Sequence, residues 1–341
     1  MKTDDMLGIG VIGLGFMGRT HISSYAKIPN CTLVAVADRD VSRHSGLSAA
    51  AGNISTGSDE RLFDPSQVDT FVNGIDLIQH ADVDVVSITT PTPTHIELAH
   101  CAIDHGQHVL IEKPVSLRRE EIIKLDTHAK KSGVLVMPAH CMRFWPAWVW
   151  MKRAVSHSEY GDVLSASFTR TGAAPSWNQE FYLDDESSGG ALVDLHIHDV
   201  DFILHLFGKP HSVFSSGSRQ HVTTDYAFGS SGPRVRAEGG WLTDPNADFT
   251  MKCSIECSKA TIDFELSRDP EIIVRSLDGS CVDHPEASEG GTGYDGEIAA
   301  MVSAVKSKST IAPVTLSDAA DGMSVIDAEL RSLRLQEQIS L

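Results

Sequence analysis

No uninterrupted apolar run approaches the roughly 20 residues that a membrane-crossing helix needs. No C-x-x-C pair occurs: Cys31, Cys101, Cys141, Cys253, Cys257 and Cys281 are scattered, and a chain of 341 residues needs no disulfide scaffold. Cys253 and Cys257 lie in Phe249-Thr-Met-Lys-Cys-Ser-Ile-Glu-Cys257, whose alternation puts both thiols on the apolar face of a strand, as small hydrophobes rather than metal ligands. Positive charge is scarce. With 28 Lys and Arg against 46 Asp and Glu, the net charge of −18 argues against nucleic acid or an anionic membrane as partner. It favours a neutral substrate, or one held by a local positive group. The first residues lack the basic, apolar and cleavage regions of a secretory leader, so a cytoplasmic location is expected. Internal repeats and low-complexity tracts are absent as well.

What is present is an ordinary globular composition, 41% hydrophobic and 22% charged, on a chain long enough for two domains. Up to about residue 140, short strands rich in Val, Ile and Leu alternate with helical stretches, as βαβ units of a parallel sheet do. Strands are expected at Leu7–Ile12, Thr32–Ala37, Val83–Ile88, His108–Ile111 and Val134–Met137. Helices are expected near 16–27, 94–105 and 118–131, with further, less defined ones between 41 and 80. Beyond that, strand patterns near 162–170, 211–217, 234–241, 249–257 and 260–266 follow one another. Ala260-Thr-Ile-Asp-Phe-Glu-Leu266 alternates strictly, so this second sheet should be largely antiparallel with one packed face. A helix after Gly189-Gly190 interrupts the run, and helices near 294–306 and 316–333 follow it. The expected division is 1–143 and 144–341.

Leu7-Gly-Ile-Gly-Val-Ile-Gly-Leu-Gly-Phe-Met-Gly18 places G-x-G-x-x-G at Gly13, Gly15 and Gly18, between a strand and a helix. The glycines serve the tight turn, close approach of backbone to a pyrophosphate, and close packing of helix on strand. The helix start, with Phe16 and Met17, then offers its N–H groups to phosphate. Val34-Ala-Val-Ala-Asp38 supplies a carboxylate at the next strand end, where it can accept hydrogen bonds from an adenosine ribose. Asp38 favours NAD over NADP, whose 2′-phosphate it would repel, although Arg39 and Arg43 could offset that repulsion. Thr89-Thr-Pro-Thr-Pro-Thr-His95, with Thr90, Pro91, Thr92 and His95, follows a strand end and should border the cofactor, though it also reads as a rigid turn capping a helix at Thr94.

Lys113, beside Glu112 at another strand end, can meet the nicotinamide end, and Pro114 fixes the turn that aims it. The plain alternative is an exposed loop lysine. In the segment 188–207, Asp194, His198, Asp201 and His205 form one stripe of a helix that is otherwise mostly apolar. Buried carboxylates and imidazoles need partners, so the stripe suggests a lined cavity; it could also be a satisfied core network, as His205 could be. The i,i+4 spacing admits a metal, but without H-E-x-x-H or a second ligand cluster none is expected. His196 and Asp199 point away from the stripe. Trp145, Trp148, Trp150 and Trp177 could stack on a sugar ring, although tryptophans at this density are more often core.

The order G-x-G-x-x-G, then Glu112-Lys113-Pro114, then Gly189-Gly190 with Asp194-x-x-x-His198-x-x-Asp201, resembles the glucose–fructose oxidoreductase/inositol dehydrogenase (Gfo/Idh/MocA) family. The resemblance covers nearly the whole chain, including His140-Cys-Met-Arg-Phe-Trp-Pro146 and the stretch from Tyr294 to Leu341. It implies an α/β fold: an N-terminal Rossmann doubly wound parallel sheet, then a C-terminal α+β domain with a largely antiparallel sheet. It further implies Lys113, Asp194 and His198 as the catalytic group, and His140 and Arg143 match a segment that often lies near the cleft. His196, where family members frequently have glycine, is a departure, and so is the polar segment from Asp59 to Gly74.

The expected activity is hydride transfer between a sugar or polyol CH–OH group and NAD, or NADP, in a homo-oligomer, dimer or tetramer. Two alternatives stand beside it: a redox-neutral lyase or glycosidase with retained NAD, and a non-catalytic sugar- or NAD-binding regulator.

Overall fold

The computed structural model describes residues 6–47 and 61–341, the side chain of Trp177 excepted. Residues 48–60 hold part of the region read as helical between 41 and 80 and the start of the polar segment from Asp59, and they lie outside the described residues.

In chain order the first part runs β1 (Leu7–Ile12), α1 (Phe16–Tyr25), β2 (Cys31–Ala37), β3 (Asp69–Phe71), α2 (Gly74–His80), β4 (Val85–Ile88), α3 (His95–Asp104), β5 (His108–Glu112), α4 (Arg119–Ser132) and β6 (Val136–Ala139). There follow α5 (Pro146–Ser156), β7 (Val163–Ala173), α6 (Gln179–Leu183), α7 (Ala191–Asp194), α8 (Ile197–Phe207), β8 (Ser212–Gly217), β9 (His221–Ala227), β10 (Arg234–Leu242), β11 (Thr250–Cys257), β12 (Ala260–Glu265), β13 (Ile272–Ser276) and β14 (Cys281–Asp283). The chain closes with α9 (Gly293–Lys306), α10 (Leu316–Leu335) and β15 (Ile339–Ser340). Two compact units result: Met1–Cys141 with Tyr294–Ala320, and Met142–Gly293 with Asp321–Leu341. Tyr294–Ala320, which sequence reading assigned to the second domain, thus packs with the first unit. Its attachment is specific: Ser24 and Lys27 of α1 both donate to Asp295 of α9, at 2.7 and 2.8 Å.

The first unit's sheet has the order β3-β2-β1-β4-β5-β6, and every neighbouring pair is parallel. Its inner strands read as continuous apolar runs because helices cover both faces; all of Val85–Ile88 is buried. Strand order reverses between β1 and β4, and ligands of doubly wound sheets bind beyond the carboxyl ends at such a switch. Helix α4 ends on Gly133 at φ +70°, with Glu120 and Glu121 in its first turn and Lys130 and Lys131 in its last, matching its dipole.

The second unit holds a nine-stranded sheet, β14-β13-β12-β11-β7-β10-β9-β8-β15. Every described pair is antiparallel except β7 with β10, which run parallel. β12 alternates buried with half-buried residues, as its sequence pattern requires, and Cys253 and Cys257 of β11 are both buried. Strand β9, His221-Val-Thr-Thr-Asp-Tyr-Ala227, escaped sequence reading because its polar residues carry little apolar signal.

Trp148 of α5 is fully buried at the centre of this unit. Phe202 and Phe264 meet its ring edge-on at 4.5 and 5.5 Å, and the Arg170 guanidinium lies 5.5 Å above it. Trp145 and Trp150 are buried too, so these three tryptophans are core. Trp148→Ala should lower unfolding stability by about 4 kcal/mol, since the two phenylalanine rings and the Arg170 guanidinium leave the void little room to collapse. Urea unfolding followed by circular dichroism checks this; a loss under about 1 kcal/mol would show that the core relaxes into the space.

Candidate active site

β1 leads into the glycine turn. Gly13 adopts φ +94°, and a Cβ there would lie 2.8 Å from the Thr89 carbonyl oxygen. At Gly18 a Cβ would fall 1.8 Å from the Gly13 carbonyl oxygen, so the helix and the turn that follows β1 touch backbone to backbone. Among the described residues nothing lies within 4 Å of the corresponding position on Gly15, which leaves an open face where a phosphate can approach. Helix α1 starts there with no side-chain cap and no acidic residue in its first turn. Its N–H groups therefore suit an anion. These features fit a dinucleotide pyrophosphate.

Asp38 is mostly buried just past β2. One oxygen accepts from the Leu14 N–H at 2.6 Å and from Arg43 Nη1 at 3.2 Å, and the other accepts from the Asp40 N–H at 2.8 Å. The carboxylate is thus locked to the glycine turn. Arg39 is exposed beside it. Arg19, which sequence reading did not single out, is half-buried in α1, where burial first and then Arg43 lower its pKa. Only the fold brings those two arginines together.

Thr89 Oγ1 donates to the carbonyl of Gly13 at 2.7 Å, tying the Thr89–His95 loop to the glycine turn. In that loop Thr90 is half-buried, Pro91 is exposed and Thr92 is buried. His95 is buried, with its ring nitrogens 2.7 Å from the Thr90 carbonyl and 3.0 Å from that of Pro114. Burial lowers its pKa despite those carbonyls. The ring therefore holds the loop and the Lys113-Pro114 turn together. Lys113 is half-buried at the end of β5. Glu112, expected on the cofactor side, is buried, and its carboxylate meets His21 Nε2 at 3.2 Å and the Lys113 backbone N–H at 3.1 Å.

In the second unit the expected single helix after Gly189-Gly190 is broken. Gly189 and Gly190 take φ +80° and +73°, and α7 stops at Asp194 before α8 begins at Ile197. The His196 N–H reaches back to the Ala191 carbonyl, one residue further than an α-helix allows, which interrupts the expected stripe. Asp194 and His198 are half-buried while most of their neighbours are buried. Asp201 accepts both arms of Arg143, at 2.9 and 2.7 Å, so Arg143 is forked onto this carboxylate. Asp199 is likewise held by Arg170 at 3.0 and 2.9 Å. His196 lies 3.0 Å from Tyr226 Oη, which donates to Glu329 at 2.6 Å. Burial opposes a charge on His196, but Glu329 and Asp199 outweigh it and raise its pKa. His140 is buried just past β6 in the first unit, and the Trp177 side chain lies outside the described residues.

Fold and turn geometry define a dinucleotide-binding protein of the Rossmann class with an appended α+β unit. Residues 7–140 match the oxidoreductase family with an NAD-binding Rossmann fold, Gfo/Idh/MocA, and residues 148–268 match the C-terminal domain of the same family. The chain belongs to that family. It is 26% identical to inositol 2-dehydrogenase of Rhizobium meliloti, over 97% of this chain and 98% of that protein. It is 31% identical to scyllo-inositol 2-dehydrogenase (NAD(+)) of Bacillus subtilis, over 58% of this chain and 53% of that one. The chain spans only about half to two thirds of the length of several such curated relatives. Among solved structures, a levoglucosan dehydrogenase in complex with NADH and levoglucosan superposes with a TM-score of 0.82 at 21% identity, covering 98% and 99% of the two chains.

Gly18→Ala should abolish measurable NAD binding, because the added carbon can be placed only by prising α1 from β1. Titration calorimetry with NADH checks it, and an affinity within about threefold of wild type would contradict the close-packing argument.

Proposed function

We propose that this chain is an NAD(P)-dependent oxidoreductase that moves hydride between the CH–OH group of a cyclic polyol or sugar and nicotinamide. The observation that carries the reading is the half-buried pair Asp194 and His198, on a segment whose neighbouring carboxylates, Asp199 and Asp201, are each forked by an arginine. Family membership and the names of the inositol dehydrogenase relatives support the substrate class.

Bound nicotinamide supplies the hydride acceptor. His198 takes the hydroxyl proton as the carbon gives up its hydride, a task suited to an imidazole whose ordinary pKa is about 6.5. Asp194 orients that imidazole or holds a neighbouring hydroxyl. Lys113 binds the reacting oxygen and stabilises the negative charge that develops on it. His140 and Arg143 stand on the substrate side by family resemblance, and Trp177 as an indole that can stack on a sugar ring. Asp38 selects NAD, since a 2′-phosphate would meet its locked carboxylate, with Arg39 and Arg43 as the counterweight. The setting we propose is a cytoplasmic homo-oligomer.

The test is NADH formation from NAD+ with a panel of inositols, aldoses and nucleotide sugars. His198→Ala and Lys113→Ala should each lower kcat/KM by about a hundredfold or more on the responsive substrate; near-full turnover in both would refute the assignment. Product without net NADH would identify redox-neutral chemistry instead. Asp38→Ser should shift the NADP+/NAD+ preference toward NADP+ by about tenfold, read from kcat/KM for each cofactor, and an unchanged ratio would remove Asp38 as the selector.

A further inference from the structure

Behind Lys113 the first unit buries a cluster that the chemistry above leaves unused: His21 of α1, Glu112 of β5 and Glu297 of α9. We propose that His21 and Glu297 are positioning residues for Lys113, acting through Glu112, an inference that rests on Lys113 binding the reacting oxygen. Glu112 ends the strand that carries the lysine, and its two oxygens divide their bonds between His21 Nε2 and the Lys113 backbone N–H. Glu297 Oε1 stands 3.9 Å from the same His21 nitrogen. Glu297 is fully buried, and neither of its carboxyl oxygens has a hydrogen-bond partner among the described residues. The helix that begins at the glycine turn, the strand end bearing Lys113, and α9 therefore meet at one imidazole.

Two buried carboxyl groups around one ring cannot both ionise without a large desolvation and repulsion cost. Burial, and then the charge of Glu112, push Glu297 well above the usual carboxyl range. Burial pushes Glu112 upward as well, but the hydrogen bond and charge of His21, with the charge of Lys113, bring it below that range. Glu112 is therefore the ionised member and Glu297 the protonated one. Tyr25 of α1, which feels the Glu297 charge, is already engaged with Ser87. Since the pKa of Glu297 is raised, its neutral form prevails below that value and is lost as pH rises through it. A second negative charge then faces Glu112 and loosens the strand end. The three donor atoms lie within 4.8 Å of one another, but among the described residues His21 Nδ1 has no acceptor, unlike most metal-bound imidazoles.

The test compares full-length wild type, Glu297→Gln, His21→Leu and Lys113→Ala. Two readouts serve: NADH formation from NAD+ and myo-inositol at neutral and alkaline pH, and acetic anhydride labelling of Lys113 relative to exposed Lys259. Wild-type kcat should fall on the alkaline side, and Glu297→Gln, with no proton to lose there, should lack that fall. His21→Leu should lower kcat by about tenfold with KM for NAD+ within about threefold, and should change Lys113 labelling by about threefold or more even if myo-inositol is not turned over. Unchanged labelling and an unchanged pH profile in folded Glu297→Gln and His21→Leu, while Lys113→Ala is inactive, would overturn the positioning role alone. Full turnover by Lys113→Ala would instead overturn the role of the lysine. One equivalent of zinc in purified wild type, lost in Glu297→Gln, would also overturn the proposal by making the cluster a metal centre.

Discussion

Because a side chain at Gly18 would overlap the Gly13 carbonyl oxygen, α1 lies at backbone distance against the turn that leaves β1, and much of the first unit follows from that closeness. The N–H groups at the start of α1 are brought to the switch point of the sheet, where a pyrophosphate can use them. Leu14, inside the turn, presents its N–H to Asp38 and so fixes the carboxylate at the end of the neighbouring strand. One turn further along α1, His21 reaches Glu112 at the end of β5. A single tight contact thus bears on the start of α1, the Asp38 carboxylate and the Glu112 strand end.

In the second unit, paired charge plays the corresponding part. Arg143 with Asp201, and Arg170 with Asp199, are two-pronged and almost wholly buried. Such pairs add little net stability over apolar packing, yet breaking one by removing a partner costs about 3–5 kcal/mol. Their consequence here is geometric. They fix the rotation of α8, and with it the placement of His198, while His196 is held from the other side by Tyr226 and Glu329. Gly239 leaves the room that His196 occupies: a Cβ there would come within 2.7 Å of the imidazole. The departure at 196 from the family's frequent glycine is therefore absorbed in the core of this unit.

Much of the architecture was legible in the chain because local patterns carry it. β1 was read to the residue, and β12 to within one, since buried strands show either continuous or alternating apolarity. The short strand β3, paired only through Ala35–Ala37, and the polar strand β9 left no comparable trace. The stripe on the 188–207 segment was only half right. Helical spacing assumed an unbroken helix, whereas the positive-φ glycines and the kink at Leu195–His196 end one helix and start another.

What the sequence by itself determined was the dinucleotide turn, the acidic strand end at Asp38 and the parallel-then-antiparallel order of sheets, because each is written in residues close along the chain. Only the tertiary structure decided how the remaining charges are spent. It assigned Arg143 to Asp201, 58 residues away, and Arg170 to Asp199, and it brought His21 between Glu112 and Glu297. The physical reason is that a buried charge is stable only beside its partner, and partners this far apart in sequence are chosen by packing, which no local pattern records.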